Sequence, residues 1–143
     1  MLVKVLSALS LVAITVAVHS VGLTTIVRWL RRSPTLEDAR LWPSTWLLIR
    51  VVWIVLGLHV VEIGVWAAFY WWRAGLPDAA SAFYFSGVTY ATIGYGDVLL
   101  PAGWRALAPI EGLTGIVLCG LSTGFFFALL SRIHGVHANP GRP

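Results

Sequence analysis

Three long apolar stretches and one short one divide the chain. From Val5 to Val27 no residue carries a formal charge, and a helix of that length, at about 1.5 Å per residue, crosses a hydrocarbon layer of roughly 30 Å. A second stretch runs from about Trp46 to Trp72, with Arg50 near one end and Glu62 near the middle. A third begins in the region Ala106–Glu111 and continues uncharged from Glu111 to Arg132, with Pro109 suited to its first turn. Between the second and third, Ala79–Ala91 is apolar and aromatic but too short to cross, which predicts a re-entrant helix over about Ala79 to Tyr90. Asp78 and Ser81 are its candidate caps.

The composition makes lipid the solvent for these stretches. Of the 143 residues, 58% are hydrophobic and 11% charged, and eight are Trp, against roughly 45–50% apolar and about 25% charged in soluble domains. A soluble core built from so short a chain could not absorb that apolar surface. The sequence therefore reads as an all-α membrane protein with three transmembrane helices. Trp42, Trp46, Trp71 and Trp72 stand at the ends of the second stretch, where amphipathic rings prefer the headgroup level. Lys4 ahead of an apolar run also fits a signal peptide, but the run is long, the cleavage signal is weak, and Arg28, Arg31 and Arg32 follow. The first stretch is accordingly read as a span. Cys119 is the single cysteine, which excludes an intramolecular disulfide and a CxxC metal site. The formal charge of +4 does not point to nucleic acid, because the basic residues flank apolar spans and form no stripe.

Four regions follow: an N-terminal helix over residues 1–32, a connecting loop over 33–45, a unit of two spans and the half-span over 46–133, and a short tail over 134–143. Ser33-Pro34-Thr35-Leu36-Glu37-Asp38 reads as a polar turn with helix-start chemistry, and Pro43-Ser44-Thr45 as a second start signal. Arg28, Arg31, Arg32, Arg40 and Arg132 fall on one side of the membrane, and Lys4, Arg73 and Arg105 on the other. The arginine-rich side is expected to be cytoplasmic, with the N-terminus outside and the C-terminus inside. About ten residues follow Arg132, too few for a cytoplasmic domain.

The half-span ends in Thr92-Ile93-Gly94-Tyr95-Gly96-Asp97, and this motif resembles the selectivity filter of the potassium-channel pore family. Glycine at 94 and 96 allows positive φ without a Cβ clash, so that successive carbonyls can turn toward one axis. Four copies make an oxygen-lined tube in which the carbonyls of Thr92, Ile93, Gly94 and Tyr95, with the Thr92 hydroxyl, replace the hydration shell of K⁺. Bound K⁺ is then the only cofactor expected. Non-helical backbone at membrane depth must be buried in protein or line a water-filled path, so the chain must oligomerise. The resemblance implies a four-fold homotetramer with lipid around it and permeant K⁺ on its axis.

The resemblance covers roughly Arg50 to Arg132 and implies further roles. The pore helix directs its negative dipole end at the central cavity. Tyr84 and Phe85 stand where relatives often carry a Trp pair, which implies that Phe85 packs near Tyr95 and that the Tyr84 hydroxyl reaches Asp97, bracing the filter from behind. Gly115 occupies the position of the family's hinge glycine; close packing is the competing reading, since small residues are common at membrane-helix interfaces. Ile116, Cys119 or Gly120, Thr123 and Phe127 follow helical spacing and form one stripe. In the family's arrangement that stripe faces the cavity, with Phe127 a candidate hydrophobic constriction.

Two intramembrane acids need partners. Glu62 lies near mid-span with His59 one turn earlier, and a His-x-x-Glu pair suits a metal or a proton. A neutral hydrogen-bonded pair tying the second span to the pore helix or to the first span is favoured, and a metalloenzyme lacks a third ligand at sensible spacing. Glu111, at the start of the third span, can brace filter amides, pair with Arg105 or tune cation entry; structural bracing is favoured. His19 reads as a satisfied interior histidine, and His134 and His137 belong to the tail. The first span carries no arginine at every third position, which excludes the usual voltage sensor. Its role is expected to be peripheral packing or lipid contact.

The sequence thus points to a homotetrameric, K⁺-selective channel of the plasma membrane, passive and without an enzyme step. The alternative is a non-conducting subunit or sensor with the pore fold that acts through partner proteins, and K⁺ flux separates the two.

Overall fold

The computed structural model describes residues 2–32 and 41–138. Four helices follow one another: α1 (Leu2–Arg31), α2 (Leu41–Trp72), α3 (Ala79–Tyr90) and α4 (Leu107–Ala138). No strand occurs among the described residues. The stretches Leu2–Arg31, Trp42–Trp72 and Leu107–Ile133 are each long and apolar enough to cross a membrane, whereas the 12 residues of α3 rise only about 18 Å. The all-helical architecture of three spans and one half-span expected from the apolar runs is therefore present.

The ends of the helices differ from expectation for identifiable reasons. α2 begins at Leu41 and not at Trp46. Pro43 falls in its first turn, where the missing N–H has no intrahelical partner to lose, so the proline opens the helix instead of preceding it. Pro109 occupies the first turn of α4 in the same way. α4 runs past Arg132 to Ala138, so part of the expected tail is helical. The expected polar turn Ser33–Asp38 and Arg40 lie outside the described residues.

Two apolar clusters hold the chain together, one near each end. At one end Trp66 and Tyr70 of α2, Ala82 and Phe85 of α3, and Leu107 of α4 pack with Leu11 of α1. At the other, Ile26 and Leu30 of α1 meet Leu47 and Val51 of α2 and Leu129 and Ile133 of α4. α1 and α4 therefore run parallel, with α2 antiparallel to both. Lys4 sits over the Trp104 ring, its Nζ 5.8 Å from the centroid. The start of α1 thus shares an end of the bundle with the segment after α3, and Arg28, Arg31 and Arg132 share the opposite end. Exposed hydroxyls within the apolar spans return to their own helices: Thr25 donates to the Val21 carbonyl at 2.8 Å, and Thr123 to the Cys119 carbonyl at 2.9 Å.

Candidate functional site

The loop after α3 takes its geometry from the way that helix begins and ends. Asp78 is the N-cap: its carboxylate accepts the backbone N–H of Ser81 at 2.8 Å and the Ser81 hydroxyl at 2.9 Å. The Ser81 backbone N–H holds the Asp78 carboxyl below its ordinary value. At the far end, the Thr92 N–H donates to the Thr89 carbonyl at 3.0 Å and the Ile93 N–H to the Val88 carbonyl at 2.8 Å. This is the Schellman pair of bonds that satisfies the last helical carbonyls, and it needs a left-handed residue immediately after the cap. Thr92, with φ +59°, is that residue.

Backbone handedness then alternates. Thr92, Gly94 (φ +55°) and Gly96 (φ +79°) lie at positive φ, and Ile93 and Tyr95 between them do not. Alternation of this kind turns successive peptide planes to a common side instead of to opposite sides, the backbone form that gathers like groups around an ion. A Cβ built on Gly94 or Gly96 meets nothing within 4 Å, so conformation and not crowding requires glycine there. The sequence reading placed positive φ at the two glycines and missed Thr92, whose β-branched side chain gives no such signal. Ile93 (54%) and Tyr95 (71%) are exposed in the single chain.

Tyr84 donates its hydroxyl to Asp97 Oδ2 at 2.7 Å, as the resemblance implied, and that bond raises the Tyr84 hydroxyl above the ordinary tyrosine value. Phe85 faces the apolar core of its own chain. It is buried edge-on against Tyr70, with ring centroids 5.2 Å apart, while Tyr95 points out of the chain. Phe85 belongs to the apolar cluster with Trp66 and Tyr70 of α2 and Leu107 of α4.

Glu111 is fully buried and accepts the Tyr70 hydroxyl at 2.7 Å and the Ser86 hydroxyl at 2.5 Å. It braces α3 to α2 and α4 through side chains. Arg105 instead donates its Nε–H to the Leu100 carbonyl at 3.1 Å. α4 also gives α3 a glycine notch. A Cβ on Gly112 would sit 3.4 Å from the Thr89 carbonyl oxygen, and one on Gly115 would collide with the Tyr90 carbonyl oxygen. The close-packing reading of Gly115 thus has a specific partner. Ile116, Cys119, Gly120, Thr123 and Phe127 are all exposed on α4, a shared face that the chain does not cover itself.

The two acids flank the same face of α3, because Ser86 and Tyr90 are one turn apart. Tyr90 donates its hydroxyl to Glu62 Oε2. Glu62 Oε1 lies 2.8 Å from His19 Nδ1, and Glu62 Oε2 lies 3.1 Å from His59 Nδ1. His59 Nε2 reaches the Ser122 hydroxyl at 3.1 Å. The expected tie from α2 runs to the pore-side helix and to the first span together, and Ser122 adds α4. Tyr70, Ser86, Tyr90 and Ser122 were not singled out from the sequence. Their one signal is that each is a polar group within an apolar run and so must find a partner.

A half-span helix thus sits between two spans and closes on a glycine-bearing, non-helical segment of alternating handedness. The family described as "Ion channel" matches residues 51–132, more than half of the chain. The chain belongs to that ion-channel family. No curated protein and no solved structure matches it. The matched region begins within α2 and ends in α4, so it contains α3, the segment of alternating handedness and both acids but not α1. Three apolar spans together with ion-channel membership make this a membrane protein. α1 is an addition to the two-span unit, and His19 is the residue by which it joins the polar cluster.

Proposed function

We propose that this chain assembles as a homotetramer that conducts K⁺ passively across the plasma membrane, with Thr92, Ile93, Gly94, Tyr95 and Gly96 of each copy forming the selectivity filter. The observation that carries the reading is the alternating handedness at 92–96 directly after α3. In this arrangement the carbonyls of Thr92 to Tyr95 turn together, and four strands around one axis replace the water of a K⁺ ion with peptide oxygens. No bond is made or broken during transit, so no catalytic group is required. Assembly is supported by the exposure of Ile93 and Tyr95 on non-helical backbone, which lipid does not tolerate, and the four-fold number follows the resemblance of Thr92–Gly96 to the potassium-channel filter.

The rest of the molecule fits this use. The exposed α4 face of Ile116, Cys119, Thr123 and Phe127 lines the cavity, and Phe127 provides an apolar ring toward the cytoplasmic end. Tyr84 and Asp97 tie the outer end of the filter to the pore helix. The arginine-rich end of the bundle lies in the cytoplasm, which sets the N-terminus and the filter mouth outside.

The test is single-channel recording of the purified full-length chain in a planar bilayer under opposed K⁺ and Na⁺ gradients. Wild type carries K⁺ in preference to Na⁺, and Gly94→Ala loses that preference because alanine at φ +55° costs about 1–2 kcal/mol per copy. Absence of K⁺ current from correctly assembled wild type, or unchanged selectivity in Gly94→Ala, refutes the proposal.

A further inference from the structure

The polar cluster at mid-depth is larger than an acid needs for its own satisfaction. His19 of α1, His59 and Glu62 of α2 bring one ligating atom each to within 4.8 Å of the others. They lie between the two apolar clusters along every span: His19 falls between Leu11 and Ile26, Glu62 between Val55 and Trp66, and Ser122 between Leu107 and Leu129. His19 and Glu62 are fully buried, and only the His59 side chain, 14% exposed, gives the cluster an edge.

We propose that His19, His59 and Glu62 form a binding site for a divalent transition metal of the zinc class, with Nδ1 of both imidazoles and a Glu62 oxygen as ligands. Three points of geometry carry this. First, the donors are already near ligand spacing: His19 Nδ1 and His59 Nδ1 lie 2.8 and 3.1 Å from the Glu62 oxygens. Metal bonds of about 2.0–2.1 Å in a tetrahedron separate donors by about 3.3 Å, so the two imidazole–carboxylate pairs, one at Oε1 and the other at Oε2, need open only by tenths of an ångström, and one ligating atom of each residue lies within 4.8 Å of the others. Second, two nitrogens and one carboxylate are the donor set of zinc and its neighbours, and they exclude the oxygen-seeking Mg²⁺ and Ca²⁺.

Third, the outer contacts suit two metal-bearing imidazoles. Ser122 Oγ lies 3.1 Å from His59 Nε2 and 3.4 Å from His19 Nε2. With the metal on Nδ1, both Nε2 atoms carry hydrogen, and the two lone pairs of one hydroxyl can accept both. With no metal and both rings donating from Nδ1 to Glu62, two Nε2 acceptors compete for the single Ser122 proton. The ring nitrogens are all paired only if His59 takes the other tautomer, its Nε2–H on Ser122 and its Nδ1 accepting the Tyr90 hydroxyl 2.9 Å away in place of Glu62. Otherwise Tyr90 donates to Glu62 Oε2 and so orients the carboxylate. One extra proton on the cluster would also close this count, and the experiment separates proton from metal. A bound ion would clamp the additional helix α1 to the pore unit beside α3.

The full-length chain, purified without chelator or added metal, is equilibrated with Zn²⁺ and in parallel with Co²⁺, then freed of unbound ion and assayed for metal per chain. Wild type retains about one equivalent, and its Co²⁺ form shows the intense visible absorption of a tetrahedral nitrogen and oxygen site. Affinity falls at least ten-fold in Glu62→Gln and His19→Gln, and 10–100-fold in Ser122→Ala, which removes only the outer contact. The pair His134→Gln and His137→Gln, which removes the tail imidazoles, leaves uptake unchanged. No retained metal in folded wild type, or equal retention in the Glu62 and His19 variants, overturns the site. Should those variants fail to fold, the wild-type Co²⁺ spectrum decides, and an octahedral, water-like spectrum overturns it. Neither result depends on K⁺ current, so the metal site and the proposed conduction fail separately.

Discussion

Gly115→Ala puts the junction between α3 and α4 under direct test. A Cβ at that position would strike the Tyr90 carbonyl oxygen and would lie 3.1 Å from the carbonyl carbon and 3.2 Å from Tyr90 Cδ1. The obstructing oxygen is backbone, so no rotamer change relieves the overlap, and α4 must withdraw from the end of α3. Overpacking of a well-filled contact costs about 1–3 kcal/mol, and a backbone obstacle argues for the upper part of that range. Alanine returns up to about 1 kcal/mol of helix propensity, which leaves a net loss of about 2 kcal/mol, or roughly 30-fold in the folded population. Gly57→Ala is the matched control, since a Cβ there meets nothing within 4 Å. Denaturation of both variants in detergent, followed by the fluorescence of the eight Trp, should show Gly57→Ala at or above wild type and Gly115→Ala well below it. A hinge with no packing duty predicts equal stability for the two. Midpoints agreeing to within about 0.5 kcal/mol would therefore refute the packing argument.

Glu111→Ala should destabilise, because the Tyr70 hydroxyl loses its acceptor at about 1–3 kcal/mol, while Ser86 keeps the Ile63 carbonyl 2.9 Å away as an acceptor. Adding Tyr70→Phe to that variant should recover part of the loss in thermal melting, and no recovery would show that Glu111 acts otherwise. The Asp78 cap gives a pH dependence of defined sign. Its folded value is depressed by the Ser81 backbone N–H from an ordinary 3.8, so the cap stabilises fully above that range and is lost as pH falls through the lower folded value. The stability difference between wild type and Asp78→Ala should accordingly shrink on acidification below pH 3.8, and a constant difference would contradict the assignment. Tyr84→Phe and Asp97→Ala remove the same hydrogen bond. Each should alter K⁺ over Na⁺ preference in bilayer recordings, and the double variant should add nothing beyond the stronger single change.

What the sequence disclosed and what it withheld follow from the range of the physics involved. The spans were legible because an uncharged run long enough to cross lipid has few other uses, and α3 was legible because its run is too short to cross. The Asp78–Ser81 cap is a contact over three residues and shows as a local pattern. The partners of Glu62 did not. His19 is 43 residues away on another helix, and whether two helices face each other depends on their rotation about their own axes, which helices apolar on every side do not record. A search for a third ligand near His59 in sequence therefore could not reach the residue that supplies it. The same limit hid Ser86 and Tyr70 from Glu111. At Thr92 the failure was of another kind: the left-handed position after a helix is ordinarily announced by glycine, and here a threonine fills it.

That threonine bears on why two buried acids converge on so short a helix. A β-branched residue at positive φ costs about 1–2 kcal/mol, and such strain persists only where the surroundings over-determine the backbone. α3 cannot supply this alone, since its twelve residues are too few to be stable without tertiary support. The support comes from both sides of its last turn and a half. Glu111 of α4 holds Ser86, Glu62 of α2 holds Tyr90, and the Gly112 and Gly115 notch seats the carbonyls of Thr89 and Tyr90. With Ser86 and Tyr90 fixed on one face, the Val88 and Thr89 carbonyls that bind the Ile93 and Thr92 N–H groups have no freedom to turn away. Thr92 is then forced left-handed, and the alternation that continues through Gly94 and Gly96 starts from a set position. On this argument the acids act on the proposed filter without touching it, by fixing the helix end from which it springs.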